Sequence, residues 1–310
     1  MRTRMICIKN THRREDAGAD SGRTGRRMAR QSRYPPGRSR AAHPPVSIDP
    51  LRRNNVHARG AGETLVFGHG FGTDQRVWTS VADALAPGHR LVLLDHVGFG
   101  GSDPAGYDPA RHARLEGYAD DLLEVLAALG PEPVTYVGHS AGALIGLLAS
   151  IAAPARFRRL VLLGMSPRFI DAPPDYVGGF AAHEIEAILD LMERDQVAWA
   201  GTLAPLAIGE DGPEALVQRF DSGLRALDPL FARRFARLVF TVDARDRLPQ
   251  ATVPSLAVHC TRDSIVPIEV GRYLRDHLPG CTLHEIEGSG HCPHLSHPRE
   301  TVEAIAAYLT

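Results

Sequence analysis

A sharp strand-to-helix turn is encoded by the stretch Gly138-His139-Ser140-Ala141-Gly142. The apolar run before it, 133–137, is typical of a buried strand, and the run after it, 143–149, is typical of a helix. A Cβ atom at position 138 or 142 would collide with the neighbouring strand or helix, which explains the two glycines. The serine is predicted to have strained backbone geometry and a hydroxyl exposed at the positive end of a helix. G-x-S-x-G in this context indicates a nucleophile elbow, whereas the bare motif also arises by chance.

The length and composition are those of a globular protein with a large core. The chain has 310 residues, of which 44% are hydrophobic and 23% are charged. No apolar run approaches the roughly 18 residues of a membrane span, so an integral membrane protein is excluded at this stage. The four cysteines, Cys7, Cys260, Cys281 and Cys292, form no C-x-x-C pair. A reducing cytoplasm is therefore the expected location.

The net charge of −1 hides a strong asymmetry along the chain. Residues 1–60 contain 15 Lys and Arg against 4 Asp and Glu, which leaves 20 against 32 for residues 61–310. Residues 1–45 are predicted to be a disordered basic tail, since residues 9–45 contain no Val, Ile, Leu, Phe or Trp. An extension without function, an arm for nucleic acid or an acidic partner, and a targeting peptide are the three alternatives. Nucleic-acid binding is not expected of the rest of the chain.

Strands and helices are predicted to alternate from about residue 54. This order predicts an α/β fold, with a mostly parallel sheet, helices on both faces and the site at the carboxyl ends of the strands. The predicted strands are 55–58, 64–67, 90–94, 133–137, 160–163, 253–259 and 283–287.

Residues 166–250 interrupt the alternation. Apolar residues recur at helical spacing over 185–192, over 216–227 and after the cap Asp228-Pro229, and no strand pattern intervenes. We predict a helical lid over the open end of the sheet, inserted after the sixth strand. The hydrolase-type core would then comprise 46–165 and 251–310.

A catalytic triad is predicted from three residues in distant parts of the chain. Ser140 needs a base, and the base needs a carboxylate that orients it. His291 is the candidate base and Asp263 the candidate carboxylate, since both lie in loops after late strands. The order serine, acid, histidine is the one that α/β-hydrolases use. Two alternatives remain open at this point: Asp263 could cap the next helix or pair with Arg262, and Asp95 also follows a strand.

Backbone N–H groups are predicted to form an oxyanion hole beside the triad. Ala141 follows the nucleophile, and Phe71 lies in the glycine-rich loop after the second strand. Trp199, Phe240 and Val266 are predicted to line the substrate pocket, although for each of the two aromatic residues taken singly a place in the plain inter-helix core is favoured.

No metal ion or cofactor is expected. His291, His294 and His297 are spaced three apart, but the prolines at 293 and 298 argue against one helical face that presents all three. The loop at 68–72 does not match G-x-G-x-x-G followed by an acidic residue, which disfavours a dinucleotide site.

A family resemblance is carried by the blocks 69–75, 138–140 with 146–150, 166–169, 176–180 and 290–294. Over about residues 53–310 the chain resembles the RsbQ-like branch of the α/β-hydrolases. The namesake of this group is a bacterial stress-response regulator, and the plant karrikin and strigolactone receptors are similar to it. This resemblance implies an α/β core, a V-shaped lid of four helices, the triad Ser140, Asp263 and His291, and a pocket for a small apolar ligand.

Three functions are compatible with these residues. The favoured hypothesis is a serine hydrolase that acts on a small apolar ester or lactone through an acyl-serine intermediate. The alternative is an RsbQ-like sensor whose slow hydrolysis activates a partner phosphatase in a sigma-factor stress response. A third hypothesis keeps the triad for perhydrolysis or C–C bond cleavage. A dehalogenase is disfavoured because its elbow nucleophile would be an aspartate.

Overall fold

A seven-stranded sheet forms the centre of the computed structural model, which describes residues 48–310. The predicted basic tail, 1–45, lies outside the described residues. All seven predicted strands are confirmed, with ends that differ by a few residues. They are β1 (His57–Gly60), β2 (Glu63–Gly68), β3 (His89–Leu94), β4 (Val134–His139), β5 (Phe157–Leu163), β6 (Ser255–Arg262) and β7 (Cys281–Ser289).

The sheet order is β1-β3-β2-β4-β5-β6-β7, and every pairing except the antiparallel β1–β3 pair is parallel. Gly68 lies opposite Gly138, and His139 lies opposite Leu163. The carboxyl ends of β2, β4 and β5 therefore meet at one edge of the sheet. The loops that follow these strands are the ones that carry the predicted site.

Helices cover both faces of the sheet. The helical segment after β2 starts as a 3₁₀ turn over Gln75–Trp78 and becomes α-helical only at Thr79. The α-helices are α1 (Pro50–Arg53), α2 (Thr79–Leu85), α3 (Leu115–Leu129), α4 (Ala141–Ala152), α5 (Ala182–Arg194), α6 (Gln196–Ile208), α7 (Glu214–Arg225), α8 (Pro229–Thr241), α9 (Ile268–His277), α10 (Pro293–Ser296) and α11 (Pro298–Leu309).

Alternate residues of each strand bury into opposite layers of the core. In β2, Val66 joins the layer that contains α3 and α4, whereas Leu65 and Phe67 join the layer that contains α2 and α11. All three side chains are fully buried. The central strands are thus apolar on both faces, as a sheet sandwiched between helices requires.

Four helices, α5–α8, form an insertion between β5 and β6, and we call them the helical insertion. The insertion follows the fifth described strand, not the sixth as predicted, because the described chain before it contains only five extended runs. Sequence periodicity found three of its helices and missed α6, whose apolar residues surround the helix axis. Among residues 48–310, none of the helices has both the length and the apolar character that a bilayer crossing needs.

Two histidines in the core have no hydrogen-bond partner on either ring nitrogen among the described residues. His259 lies on β6, with Gly271 of α9 packed against its ring, and His294 stacks on Trp78 with ring centroids 4.6 Å apart. Burial lowers the pKa of His259 to about 4 and that of His294 to about 3. Both rings are therefore neutral in the folded protein near pH 7.

We expect the free energy of unfolding to fall as the pH falls below about 6.5. Below that pH the histidines of the unfolded chain bind protons, whereas the buried rings of the folded protein stay neutral. This difference lowers the free energy of unfolding by about 1 kcal/mol per pH unit for each such histidine. Between pH 6.5 and 4, denaturant titrations should show that His259→Leu reduces this slope. His183→Leu, at an exposed position on α5, is the matched control. Equal slopes for both variants would contradict the assignment.

Candidate active site

The junction of β4 and α4 places Ser140 at the carboxyl edge of the sheet. Ser140 has φ 52° and ψ −118°, a left-handed backbone conformation that a non-glycine residue rarely adopts. Its backbone N–H donates to the Leu163 carbonyl at 2.8 Å, which fastens the turn to the end of β5. A Cβ atom at Gly138 would lie 2.6 Å from the Cα atom of Ala143, so the reversal requires glycine there.

The structure brings the three predicted triad residues together. His291 Nε2 lies 2.8 Å from Ser140 Oγ, and His291 Nδ1 lies 2.7 Å from Asp263 Oδ2. The imidazole can therefore donate its Nδ1 proton to the carboxylate and accept the serine proton at Nε2. All three side chains are buried, which keeps bulk water from competing for these bonds.

The orientation of the Asp263 carboxylate is fixed by its own loop. Asp263 Oδ1 accepts the backbone N–H groups of Ile265 at 2.7 Å and Val266 at 2.9 Å, which leaves Oδ2 directed at His291. Arg262 instead pairs with Asp211 at 2.7 Å. The pairing of Asp263 with Arg262, which the sequence left open, is not what the structure shows.

Asp95, the other acidic residue at a strand end, is occupied by its surroundings. Its carboxylate accepts the backbone N–H groups of Gln75 and Gly101, both at 2.8 Å, and the side-chain amide of Asn55 at 2.7 Å. These bonds tie together the segment before β1 and the loops after β2 and β3. The geometry thus assigns Asp95 to loop anchoring and leaves the His291 ring to Asp263.

The backbone of His291 is held by groups that the sequence alone did not reveal. The Ala207 carbonyl, near the end of α6, accepts the backbone N–H groups of His291 at 2.8 Å and Cys292 at 3.1 Å. His139 Nε2 donates to the His291 carbonyl at 2.9 Å. Gly164 has φ 55°, and a Cβ atom there would lie 3.0 Å from His291 Cε1. Gly164 directly follows β5 at the edge of the site, and a glycine in that place was the one sequence signal that could have indicated this close packing.

The two predicted oxyanion-hole donors lie at the start of α4 and in the loop after β2. Ala141 is the first residue of α4, so its backbone N–H has no acceptor within the helix. A Cβ atom at Gly142 would clash with the carbonyls of Gly68 and His69, which shows how closely the start of α4 packs on the loop after β2. Phe71, in that same loop, lines the cavity that Ser140 also lines.

A small apolar cavity lies over Ser140. Its volume is about 30 Å³, far below the roughly 300–1,000 Å³ of common ligand pockets, and is enough for a group of about one or two heavy atoms. Of the predicted pocket residues only Phe240 lines it. Trp199 and Val266 do not, because Trp199 packs behind Phe71 and Ile265 takes the lining position that Val266 was expected to fill. Its apolar side chains are Phe71, Phe169, Leu203, Ala207, Phe220, Val239, Phe240 and Ile265.

A second potential nucleophile, Cys292, also lines the cavity. Burial raises the pKa of the Cys292 thiol well above its ordinary value, so the group stays protonated and is a poor nucleophile. Burial likewise lowers the pKa of His139 well below its ordinary value, which keeps that ring neutral. Of the two potential nucleophiles, Ser140 is therefore the one whose hydroxyl lies beside a proton acceptor, His291 Nε2.

The histidine run 291–297 presents its rings to different partners. His291 bonds to the triad, His294 stacks on Trp78, and His297 Nδ1 lies 2.8 Å from Ser296 Oγ. Within the described part of the chain, no three His, Cys, Asp or Glu side chains come together in a metal-binding group.

Comparison with known proteins gives concordant matches over the described residues. Residues 63–298 match the family model for the alpha/beta hydrolase fold. Strigolactone esterase D14 from Arabidopsis thaliana is 39% identical, and the match covers 84% of this chain and 97% of the relative. Karrikin insensitive 2 receptor IA from Petunia hybrida is also 39% identical, with 82% and 93% covered.

A solved structure agrees with the sequence matches. A hydrolase from Oleispira antarctica superposes with a TM-score of 0.82 and is 33% identical, and the match covers 84% of this chain and 96% of that one. Extensive coverage of both partners means that the similarity includes the core and the helical insertion alike. The chain therefore belongs to the α/β-hydrolase family, in the branch that contains the karrikin and strigolactone receptor-like proteins.

Proposed function

We propose that this protein hydrolyses small apolar esters or lactones through an acyl-serine intermediate, with Ser140, His291 and Asp263 as its catalytic triad. The observation that carries the proposal is the continuous chain of hydrogen bonds, 2.8 Å and 2.7 Å long, from the hydroxyl through the imidazole to the carboxylate. A serine hydroxyl is a weak nucleophile without such a chain. The name of the Arabidopsis thaliana relative, a strigolactone esterase, supports the same reaction class.

The proposed first step is attack of Ser140 Oγ on the ester carbonyl carbon. His291 Nε2 takes the serine proton as the new C–O bond forms, and Asp263 stabilises the imidazolium. The tetrahedral intermediate then collapses, the ester C–O bond breaks, and His291 returns the proton to the leaving alcohol. In the second half, His291 deprotonates a water molecule that attacks the acyl-serine, and Ser140 leaves with the proton restored.

Negative charge on the carbonyl oxygen is proposed to be stabilised by the backbone N–H groups of Phe71 and Ala141. Both donors are fixed before the substrate binds, so no reorganisation is needed when the charge develops. The amino end of α4 adds its positive dipole at the same point. A lost donor in such a hole typically costs about 10²–10³-fold in turnover.

The apolar wall of the cavity favours a substrate with a small apolar acyl group. The helical insertion is proposed to act as a lid that keeps water from the cavity. A phosphatase partner is not part of this proposal, because the relatives' names favour small-molecule esterases and receptors over a phosphatase-coupled regulator. A receptor role would still require the same ligand to enter the same cavity.

Ser140→Ala is expected to abolish turnover of p-nitrophenyl acetate, because it removes the oxygen that carries the acyl group. Release of p-nitrophenolate should show an initial burst in the unmodified enzyme and none in the variant. The matched control is Ser150→Ala, further along α4, whose hydroxyl donates to the Leu147 carbonyl away from the cavity. A burst followed by no sustained turnover would argue for a sensor, and full activity in Ser140→Ala would end the proposal.

Asp263→Asn is expected to reduce kcat by about 10³–10⁴-fold while the fold persists. The asparagine Oδ1 can still accept the Ile265 and Val266 N–H groups, but its Nδ2 faces His291 Nδ1 and favours the wrong tautomer. Steady-state kinetics and the circular dichroism melting curve measure the two effects. Asp276→Asn, at an exposed position on α9, serves as the control. A loss smaller than tenfold would remove Asp263 from the triad.

A further inference from the structure

A surface groove lies directly outside the catalytic cavity. Residues 72–80, which follow the oxyanion-hole loop, form one side, and α7 of the helical insertion forms the other. Its volume is about 520 Å³, in contrast to about 30 Å³ for the cavity. The groove is therefore large enough for a ring-sized group that the cavity cannot hold.

One side chain, Phe220 of α7, lines both spaces. Phe220 therefore forms part of the wall between the groove and the cavity that Ser140 lines. Helix α7, which carries this ring, lies close to the loop after β2. This closeness is shown by Gly72, where a Cβ atom would clash with Leu224 of α7. A displacement of the Phe220 ring would join the groove to the catalytic cavity without moving the sheet.

Because the cavity is so much smaller than the groove, the acyl part and the alcohol part of an ester would occupy different spaces. Only about one or two heavy atoms of an acyl group fit in the cavity over Ser140, so the alcohol part of an ester has to lie elsewhere. The groove is the adjoining space, and Phe220 forms part of the wall between the two. An ester bound in this way places its carbonyl at the Phe220 wall, with the leaving group outside.

The charges of the groove favour an anionic leaving group. Three charged side chains line it: Asp74, Arg76 and Arg219. Arg76 binds Asp74 through two bonds, Nε to Oδ1 at 2.9 Å and Nη2 to Oδ2 at 2.6 Å, so these two charges cancel. Arg219 is exposed and has no ion-pair partner among residues 48–310. The groove therefore carries one uncompensated positive charge.

We propose that this groove is the leaving-group site of the enzyme and that it selects esters of a short acyl group with a carboxylate-bearing alcohol, whose carboxylate pairs with Arg219. This inference rests on the proposed esterase activity: it keeps the small apolar acyl group over Ser140 and assigns a charged alcohol part to the groove. The guanidinium acts by binding the remote end of the substrate and takes no part in the chemistry at Ser140. Its contribution should therefore appear in KM and leave kcat unchanged.

Two acetate esters of equal size test the assignment: 4-acetoxybenzoate, which carries the charge, and 4-acetoxybenzamide, which does not. The unmodified enzyme should have a KM about 2- to 5-fold lower for the carboxylate, the range that an exposed ion pair supports, and about 0.5 M NaCl should remove the difference. Arg219→Gln should raise KM for the carboxylate to the value for the amide, and Arg219→Glu should raise it further. Neither variant should alter kcat or the KM of the amide.

Arg225→Gln is the matched control, because Arg225 lies on the same helix but pairs with Asp221 at 2.7 Å and does not line the groove. Phe220→Trp, which thickens the wall, should lower kcat/KM for both esters by a similar factor and keep the preference for the carboxylate. Equal KM values for the two esters, or equal effects of Arg219→Gln on both, would overturn the groove assignment while the esterase stands. Absence of Ser140-dependent turnover of the neutral ester would instead overturn the proposed function itself.

Discussion

The left-handed backbone of Ser140 is the constraint on which the site depends. A non-glycine residue held there costs on the order of 1–3 kcal/mol, so the surrounding structure has to impose it. The bond from its N–H to the Leu163 carbonyl does so from β5, and the first turn of α4 does so by packing against the loop after β2. Because both supports come from neighbouring parallel strands, the elbow can form only after the sheet has assembled. The hydroxyl then lies at the start of α4, near the positive end of the helix dipole.

The helical insertion is part of the site as well as its cover. The carbonyl of Ala207 accepts two backbone N–H groups from the loop that carries His291, and Asp211, just beyond α6, accepts the Ser289 N–H at 2.6 Å. The position of the imidazole is therefore set from two directions, by the Asp263 carboxylate and by the end of an inserted helix. The same insertion supplies most of the apolar cavity wall, which couples the shape of the pocket to the placement of the base.

Sequence pattern and tertiary structure contributed in different ways to this site. The elbow and the order of the strands followed from the sequence, because hydrophobic periodicity and glycine placement are local properties. The triad residues could be named for a related reason: each follows a strand, and the strand ends of a parallel sheet share one edge. The same reasoning failed for Trp199 and Val266. Packing between helices decides which side of an aromatic residue faces a cavity. The turn that Asp263 caps decides whether residue 265 or residue 266 points inward.

The sequence by itself determined the α/β architecture, the nucleophile and the chemical type of its partners, since these depend on residue identity and on short-range periodicity. Only the tertiary structure decided that Asp263 and not Asp95 meets His291, because hydrogen bonds from three separate segments occupy Asp95. It also decided the small volume of the cavity and its separation from a larger groove by Phe220. Such features depend on how the helical insertion packs on the sheet, through contacts between residues far apart in the chain that no local pattern records.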